Sequence, residues 1–336
     1  MESNTLINPN TYKGFDIFKV FMSFLVVAIH VIPVPKDGQF INSLIQSILD
    51  FAVPYFFLVS GFLLAKKMGR YPENKEKVIL DFIKSSIKLY LIWTFIYLPI
   101  TLAGLVINDE LNFKSGLFII KNIVFKGENF FSWPLWYLLT LVYFGISLLI
   151  SFKLKFQPKY LFLSFYILFI TLSIIFYKSS EHSVLYQFKK FLTYHFAGLR
   201  IPYGLLIITS GFLLAKNTLK ISSIILIIIT IIFLLINSCF HNFLSFHFLG
   251  LATICLFLIS KRIRMNHIKS TVVFRKTSTV MYLSHMIFYF IILYVLNLKT
   301  LDIAFQYIIV VLSCLILSYF VIKVFKGNTF INNLFP

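Results

Sequence analysis

Between Lys19 and His30 the chain reads VFMSFLVVAI, with no other charged or titratable side chain. A histidine alone in so apolar a run, within GFDIFKVFMSFLVVAIHVIPVP from Gly14 to Pro35, is a candidate for proton transfer. Imidazole is the side chain whose ordinary pKa lets it take up and release a proton near neutral pH. Eleven helical residues span about 16 Å, about half the thickness of a bilayer core. Lys19 can therefore reach one surface while His30 stays buried toward the other.

Other ionisable groups fall within or beside apolar runs: Asp16, Asp50, Lys84, Lys88, Arg200 and His285. Each costs about 2.5 kcal/mol or more in hydrocarbon, so each needs a reason. Asp50 lies about as far from the outer end of its run as His30 does from its own. An aspartate accepting one imidazole N–H would fix the tautomer and leave the other nitrogen as a base for a hydroxyl. The plain alternative is a histidine bonded to a backbone carbonyl, with Asp50 wet at the interface. Asp16 and Lys19, three residues apart, suit a local ion pair. Lys19, Lys84 and Lys88, with Lys66, Lys67 and Arg70, could hold the phosphates of a cytosolic donor such as a coenzyme A thioester, although inner-face lysines also serve topology. Arg200 offers a planar fork for a carboxylate or phosphate of an acceptor, or snorkels to headgroups. His285 is expected about seven residues in from the cytoplasmic side, away from the depth of His30. His241 and His247, flanking Asn242, lack a third ligand, and no metal is assigned.

These groups must be positioned by membrane helices. The chain has 336 residues, 59% of them hydrophobic and 18% aromatic, against about 45–50% apolar in soluble domains. The apolar runs have the length of transmembrane helices and lack the alternation of a membrane barrel. An all-α polytopic bundle follows, with about ten spans: 16 to 35, 44 to 65, 80 to 107, 135 to 152, 159 to 177, 197 to 215, 221 to 238, 244 to 260, 278 to 297 and 301 to 322. With both termini cytoplasmic, the inner side carries 22 of the 31 Lys and Arg residues, which is the asymmetry of the positive-inside rule. A net charge of +19 therefore reads as topology and not as nucleic-acid binding. Cys239, Cys255 and Cys314 form no CxxC. The first apolar run has no A-x-A site and reads as a retained helix. The outer stretch 108–134 holds an amphipathic piece suited to the interface, as does 178–195. The string SGFLLAK occurs at Ser60–Lys66 and again at Ser210–Lys216, where small residues suit close helix contact. No separate soluble domain is expected.

Four stretches together resemble the acyltransferase-3 membrane proteins, which O-acylate extracytoplasmic glycans. Lys19 and His30 fit the basic-x10-His pattern of that family's first helix. VPYFFLVSGFLLAKK (Val53–Lys67), PLWYLLTLVY (Pro134–Tyr143) and TSTVMYLSHMIFY (Thr277–Tyr289) are similar to its second, fourth and Ser…Tyr-x-x-His segments. The resemblance implies a donor acyl-CoA bound from the cytoplasm, His30 as catalytic histidine, Lys19 as its motif partner and Lys84 and Lys88 as the basic pair of the third helix. It also brings Tyr282 and His285 into the candidate set. Lysine stands at positions 19 and 88 where arginine is frequent, and Pro134 stands where histidine often precedes LWYL. VPYFFLVSGFLL and the Arg200 segment are also similar to the membrane portion of glycopeptide-resistance serine racemases.

The expected function is transfer of an acyl group, most often acetyl, from cytosolic acyl-CoA to a hydroxyl of a surface polysaccharide or lipid-linked glycan at the plasma membrane. Acyl-CoA is then a co-substrate, and no bound cofactor is expected. The alternative is a transporter of serine or a similar small polar metabolite, with His30, Asp50 and Arg200 lining its path.

Overall fold

The computed structural model describes residues 12–35, 37–110, 112–180, 183–216, 221–239, 244–263, 270–325 and 327–335. The first eleven residues lie outside that set, as do His241 and Asn242, named above, and Lys36, Lys220, Arg264, Lys269 and Lys326, which are among the 31 Lys and Arg residues counted there. Among the described residues the chain is helical, with no strand: α1 (Lys13–Val31), α2 (Phe40–Leu49), α3 (Ala52–Arg70), α4 (Lys75–Ile107), α5 (Phe113–Phe125), α6 (Leu135–Lys153), α7 (Pro158–Lys178), α8 (Val184–Phe196), α9 (Arg200–Leu214), α10 (Ser223–Cys239), α11 (Leu244–Arg262), α12 (Val272–Phe290), α13 (Ile303–Tyr319) and α14 (Thr329–Leu334). α12 and α13 each run on into a π-helical turn, Ile291–Val295 and Phe320–Val324. Helices pair every backbone polar group internally, which is what a hydrocarbon environment demands.

Eight helical stretches are long and apolar enough to cross a membrane. A ninth forms if α8 and α9, bent by 69°, count as one. α10, at 17 residues, answers to the remaining expected span. Two spans depart from straight rods. The second breaks at Asp50–Phe51, between α2 and α3. Pro54 has no N–H to give the Asp50 carbonyl, so one rung of the helical ladder is missing at this point. The sixth bends where Ala197 and Gly198 take left-handed backbone angles (φ 59° and 62°) and end α8. α5 and α8, the two amphipathic outer pieces, pack on each other, with Lys121 Nζ 3.5 Å from the centre of the Tyr194 ring.

The two SGFLLAK strings lie against each other where α3 crosses α9. A Cβ on Gly61 would lie 1.9 Å from the Ile208 carbonyl oxygen, and one on Gly211 would lie 2.1 Å from that of Leu58. Each glycine thus meets the residue three before the other, a reciprocal arrangement that only a bare Cα permits. This crossing forms the centre of the bundle, with Phe57, Leu58, Phe62 and Ile208 fully buried. α7, α10 and α13 turn isoleucines, leucines and aromatics outward, as lipid contact requires.

Candidate active site

His30 lies in the last turn of α1, and its half-buried ring opens into a cavity of about 650 Å³. Asp50 at the α2–α3 break, Glu128 and Trp133 from the α5–α6 connection, Arg200 at the start of α9 and Tyr282 of α12 also line it. Phe57, Trp136, Tyr203 and Phe246 supply apolar walls. The structure therefore brings four sequence candidates, His30, Asp50, Arg200 and Tyr282, to one cavity.

The His30 ring stacks against Trp133 on one contact (centroids 5.6 Å apart) and against His285 on another (5.3 Å, 26° between planes). The expected separation in depth between His30 and His285 is corrected. α12 begins at Val272, six residues before the expected start of that span, so His285 lies 13 residues along its helix, about 20 Å at the helical rise. His30 lies 17 residues along α1, about 26 Å, and the two helices run side by side. His285 is fully buried, and its Nδ1 lies 2.9 Å from the Met281 carbonyl oxygen. A carbonyl can only accept, so Nδ1 carries the proton and Nε2 is left with a lone pair. That Nε2 is buried with no hydrogen-bond partner among the described residues. A buried polar atom left so costs about 1–3 kcal/mol, a cost that usually has a functional reason.

Asp50 shares the cavity with His30, but its carboxylate accepts from Gln46 Nε2 at 2.7 Å, four residues back, and no hydrogen bond joins it to His30. The expected dyad is therefore not formed. The expected Asp16–Lys19 ion pair is also absent. Asp16 accepts from Thr271 Oγ1 at 2.6 Å and so ties α1 to the start of α12, while Lys19 has Asp16 and Arg275 within electrostatic reach. Arg200 contacts Glu128 at 2.5 Å, with Lys126 3.8 Å from the same carboxylate. Glu128 is buried and Arg200 more than half exposed, so the fork lies at the mouth of the cavity with donors to spare. Tyr282 donates to the Pro134 carbonyl at 3.2 Å, so the proline in place of a histidine still anchors this wall. Its ring packs on Tyr137, whose hydroxyl is 2.8 Å from Ser60 Oγ.

At the other end of the bundle, Lys84 and Lys88 are exposed on α4. Lys88 Nζ donates to Asn333 at 3.0 Å and Lys276 Nζ to Asn332 at 2.8 Å, so α14 bridges α4 and α12. Sequence reasoning passed over Glu128, Trp133, Arg275 and Lys276. Glu128 had one signal, as the one acid of the amphipathic outer piece FKSGLFIIKNIVFKGENFF. Arg275 and Lys276 were read as topology alone.

Residues 12–323 match the family described as an acyltransferase domain, and the chain belongs to it. It is 34% identical over 155 residues to an amino-acid racemase of Enterococcus faecalis, which covers 42% of this chain and 20% of that protein. It is 33% identical over 105 residues to a serine/alanine racemase of Enterococcus gallinarum, 30% of this chain and 14% of that protein. The matched part thus spans a fifth or less of the length of these relatives. No solved structure matches the chain.

Proposed function

We propose that the protein, acting as a single transmembrane unit, carries an acyl group, most often acetyl, from cytosolic acyl-CoA to a hydroxyl of an extracytoplasmic polysaccharide or lipid-linked glycan at the plasma membrane. One observation carries this reading: the motif histidine opens into an aromatic-walled cavity that is large enough for a sugar and lies beside a second, buried histidine. Ligand cavities commonly measure about 300–1,000 Å³. In the proposed reaction His30 takes the proton of the acceptor hydroxyl as its oxygen attacks the thioester carbonyl. The C–S bond then breaks, the thiolate of CoA leaves, and the proton passes from His30 to that thiolate. General-base assistance of this kind is worth about 10²–10⁴ in rate. Lys19, Lys84 and Lys88, with Arg275 and Lys276 beside them, hold the donor phosphates, and Arg200 with Glu128 frames the acceptor entrance.

The test is transfer of label from radiolabelled acetyl-CoA to surface glycan in membranes bearing His30→Ala. Loss of transfer at unchanged protein level is expected; transfer at the normal rate removes His30 from the mechanism. The second reading is transport of serine or a similar metabolite; the relatives' names bear only on the class of molecule, since they are racemases of amino acids, one of them of serine and alanine. Serine uptake into vesicles, indifferent to acetyl-CoA, would establish it.

A further inference from the structure

The turn at Ala197 and Gly198, which ends α8 and leads into α9, also walls a second cavity, of about 600 Å³. Lys189 and Thr193, four apart on α8, line it together with Phe176 and Ser179 at the end of α7, Arg200 at the start of α9 and Phe246 of α11. Arg200 lines this cavity and the His30 cavity alike. α7 ends here and α9 begins here, so the cavity lies where the spans leave the hydrocarbon, at the depth of lipid headgroups.

Its charge is one-sided. Among the described lining residues Lys189 and Arg200 are basic and none is acidic. Lys189 Nζ donates to the Phe176 carbonyl at 2.9 Å, a plain cap on the end of α7, and an ammonium has two further N–H groups to give. Arg200 gives one nitrogen to Glu128, which lines the His30 cavity and not this one, and keeps the other donors of its fork. α9, 15 residues long, starts in this wall, so the positive end of its dipole adds to the two cations. Ser179 Oγ, enclosed in the same wall, has no hydrogen-bond partner among the described residues. Capping α7 accounts for Lys189 alone; it accounts neither for the space beside it nor for the second cation.

The rim indicates which anion. Tyr177 lines the cavity and is exposed, and Ile174 and Ile167, on the same side of α7, are exposed below it. A free anion would meet the cations and leave that apolar stripe aside. A phospholipid sets its phosphate between Lys189 and Arg200 and its acyl chains down α7. We infer that this cavity binds the phosphate of an anionic phospholipid, and that the bound lipid steadies the Arg200 fork at the mouth of the His30 cavity. The inference needs the membrane bundle and not the acyl transfer proposed above.

The experiment is native mass spectrometry of the full chain in mild detergent, titrated with dioleoylphosphatidylglycerol, dioleoylphosphatidylcholine, undecaprenyl phosphate and inorganic phosphate. Size-exclusion profiles establish that each variant is folded. Phosphatidylglycerol should bind most tightly, Lys189→Gln should weaken it by about tenfold, the scale of one lost charged hydrogen bond, and Lys189→Arg should retain it. Lys190→Gln removes the same charge one residue away, from a side chain that lies over the Tyr186 ring and outside the cavity. That variant should change binding by less than about twofold. Phosphatidylcholine bound as tightly as phosphatidylglycerol, equal losses in Lys189→Gln and Lys190→Gln, or no loss in Lys189→Gln would each overturn the inference. So would preferred binding of undecaprenyl phosphate, which would give the cavity to a carrier lipid, or of inorganic phosphate, which would give it to a soluble anion.

Discussion

The imidazoles of His30 and His285 stack 5.3 Å apart, centre to centre, although 255 residues separate them in the chain. One ring faces the cavity, and the other is enclosed with a nitrogen lacking a partner among the described residues. That arrangement suits a positioning role for His285: it shapes the face of His30 away from the acceptor without touching the acceptor itself.

Replacing His30 by Ala should lower acyl transfer by at least about 10²-fold, the scale of a lost general base. His285→Gln should leave the acceptor KM near its wild-type value, reduce kcat and displace the pH–rate profile. A His285 variant whose profile matches wild type would reduce this residue to a packing element.

Glu128 and Arg200 should be coupled. One partner is buried and the other half exposed, so a double-mutant cycle on thermal stability should give about 1 kcal/mol, at the upper end for surface pairs. Glu128→Gln alone should also weaken acyl transfer by loosening the cavity mouth. A coupling energy of zero would mean that the contact is incidental.

Gly61→Ala and Gly211→Ala should each reduce the folded fraction, because the added Cβ falls within 2.1 Å of a backbone oxygen and the two helices must part. Overpacking of this kind costs about 1–3 kcal/mol or more. Gly69→Ala, where nothing lies within 4 Å, is the control and should be silent. Fluorescence-detected size exclusion of detergent extracts reads all three; a monodisperse Gly61→Ala peak at wild-type yield would contradict the crossing.

Lys88→Ala should raise the KM for acetyl-CoA several-fold with little change in kcat. Asn333→Ala should change it less than about twofold, since an exposed hydrogen bond to a neutral amide is worth about 1 kcal/mol or less and a phosphate outcompetes it. The KM–kcat split separates donor binding from a general loss of protein.

Much of the architecture was legible because the bilayer imposes its own ruler: run length marked out an all-helical bundle, in which eight described stretches are long and apolar enough to cross a membrane and a ninth forms if α8 and α9 count as one. Boundaries were less legible. The second span breaks at Asp50, where Pro54 withholds one N–H, and α12 starts six residues early because the helix runs on through Arg275, Lys276 and Thr277, which a hydropathy reading takes for loop. That second difference moved His285 to the depth of His30. Depth counted along separate helices also failed to predict pairing for Asp50, since equal height says nothing of which way a side chain turns, and Gln46 on its own helix reached it first.

The sequence by itself determined that this is a membrane bundle, that a basic residue and a histidine lie about half a bilayer apart on its first helix, and that SGFLLAK occurs twice. Hydropathy, helical rise and residue type are local properties, and each is written in consecutive residues. Only the tertiary structure decided that the two SGFLLAK strings pack against each other, that Glu128 takes Arg200, that His285 backs His30, and that one arginine borders two cavities. Those relations join residues up to 255 apart, and they depend on the rotation of each helix about its own axis, which packing against neighbours sets and no single segment encodes.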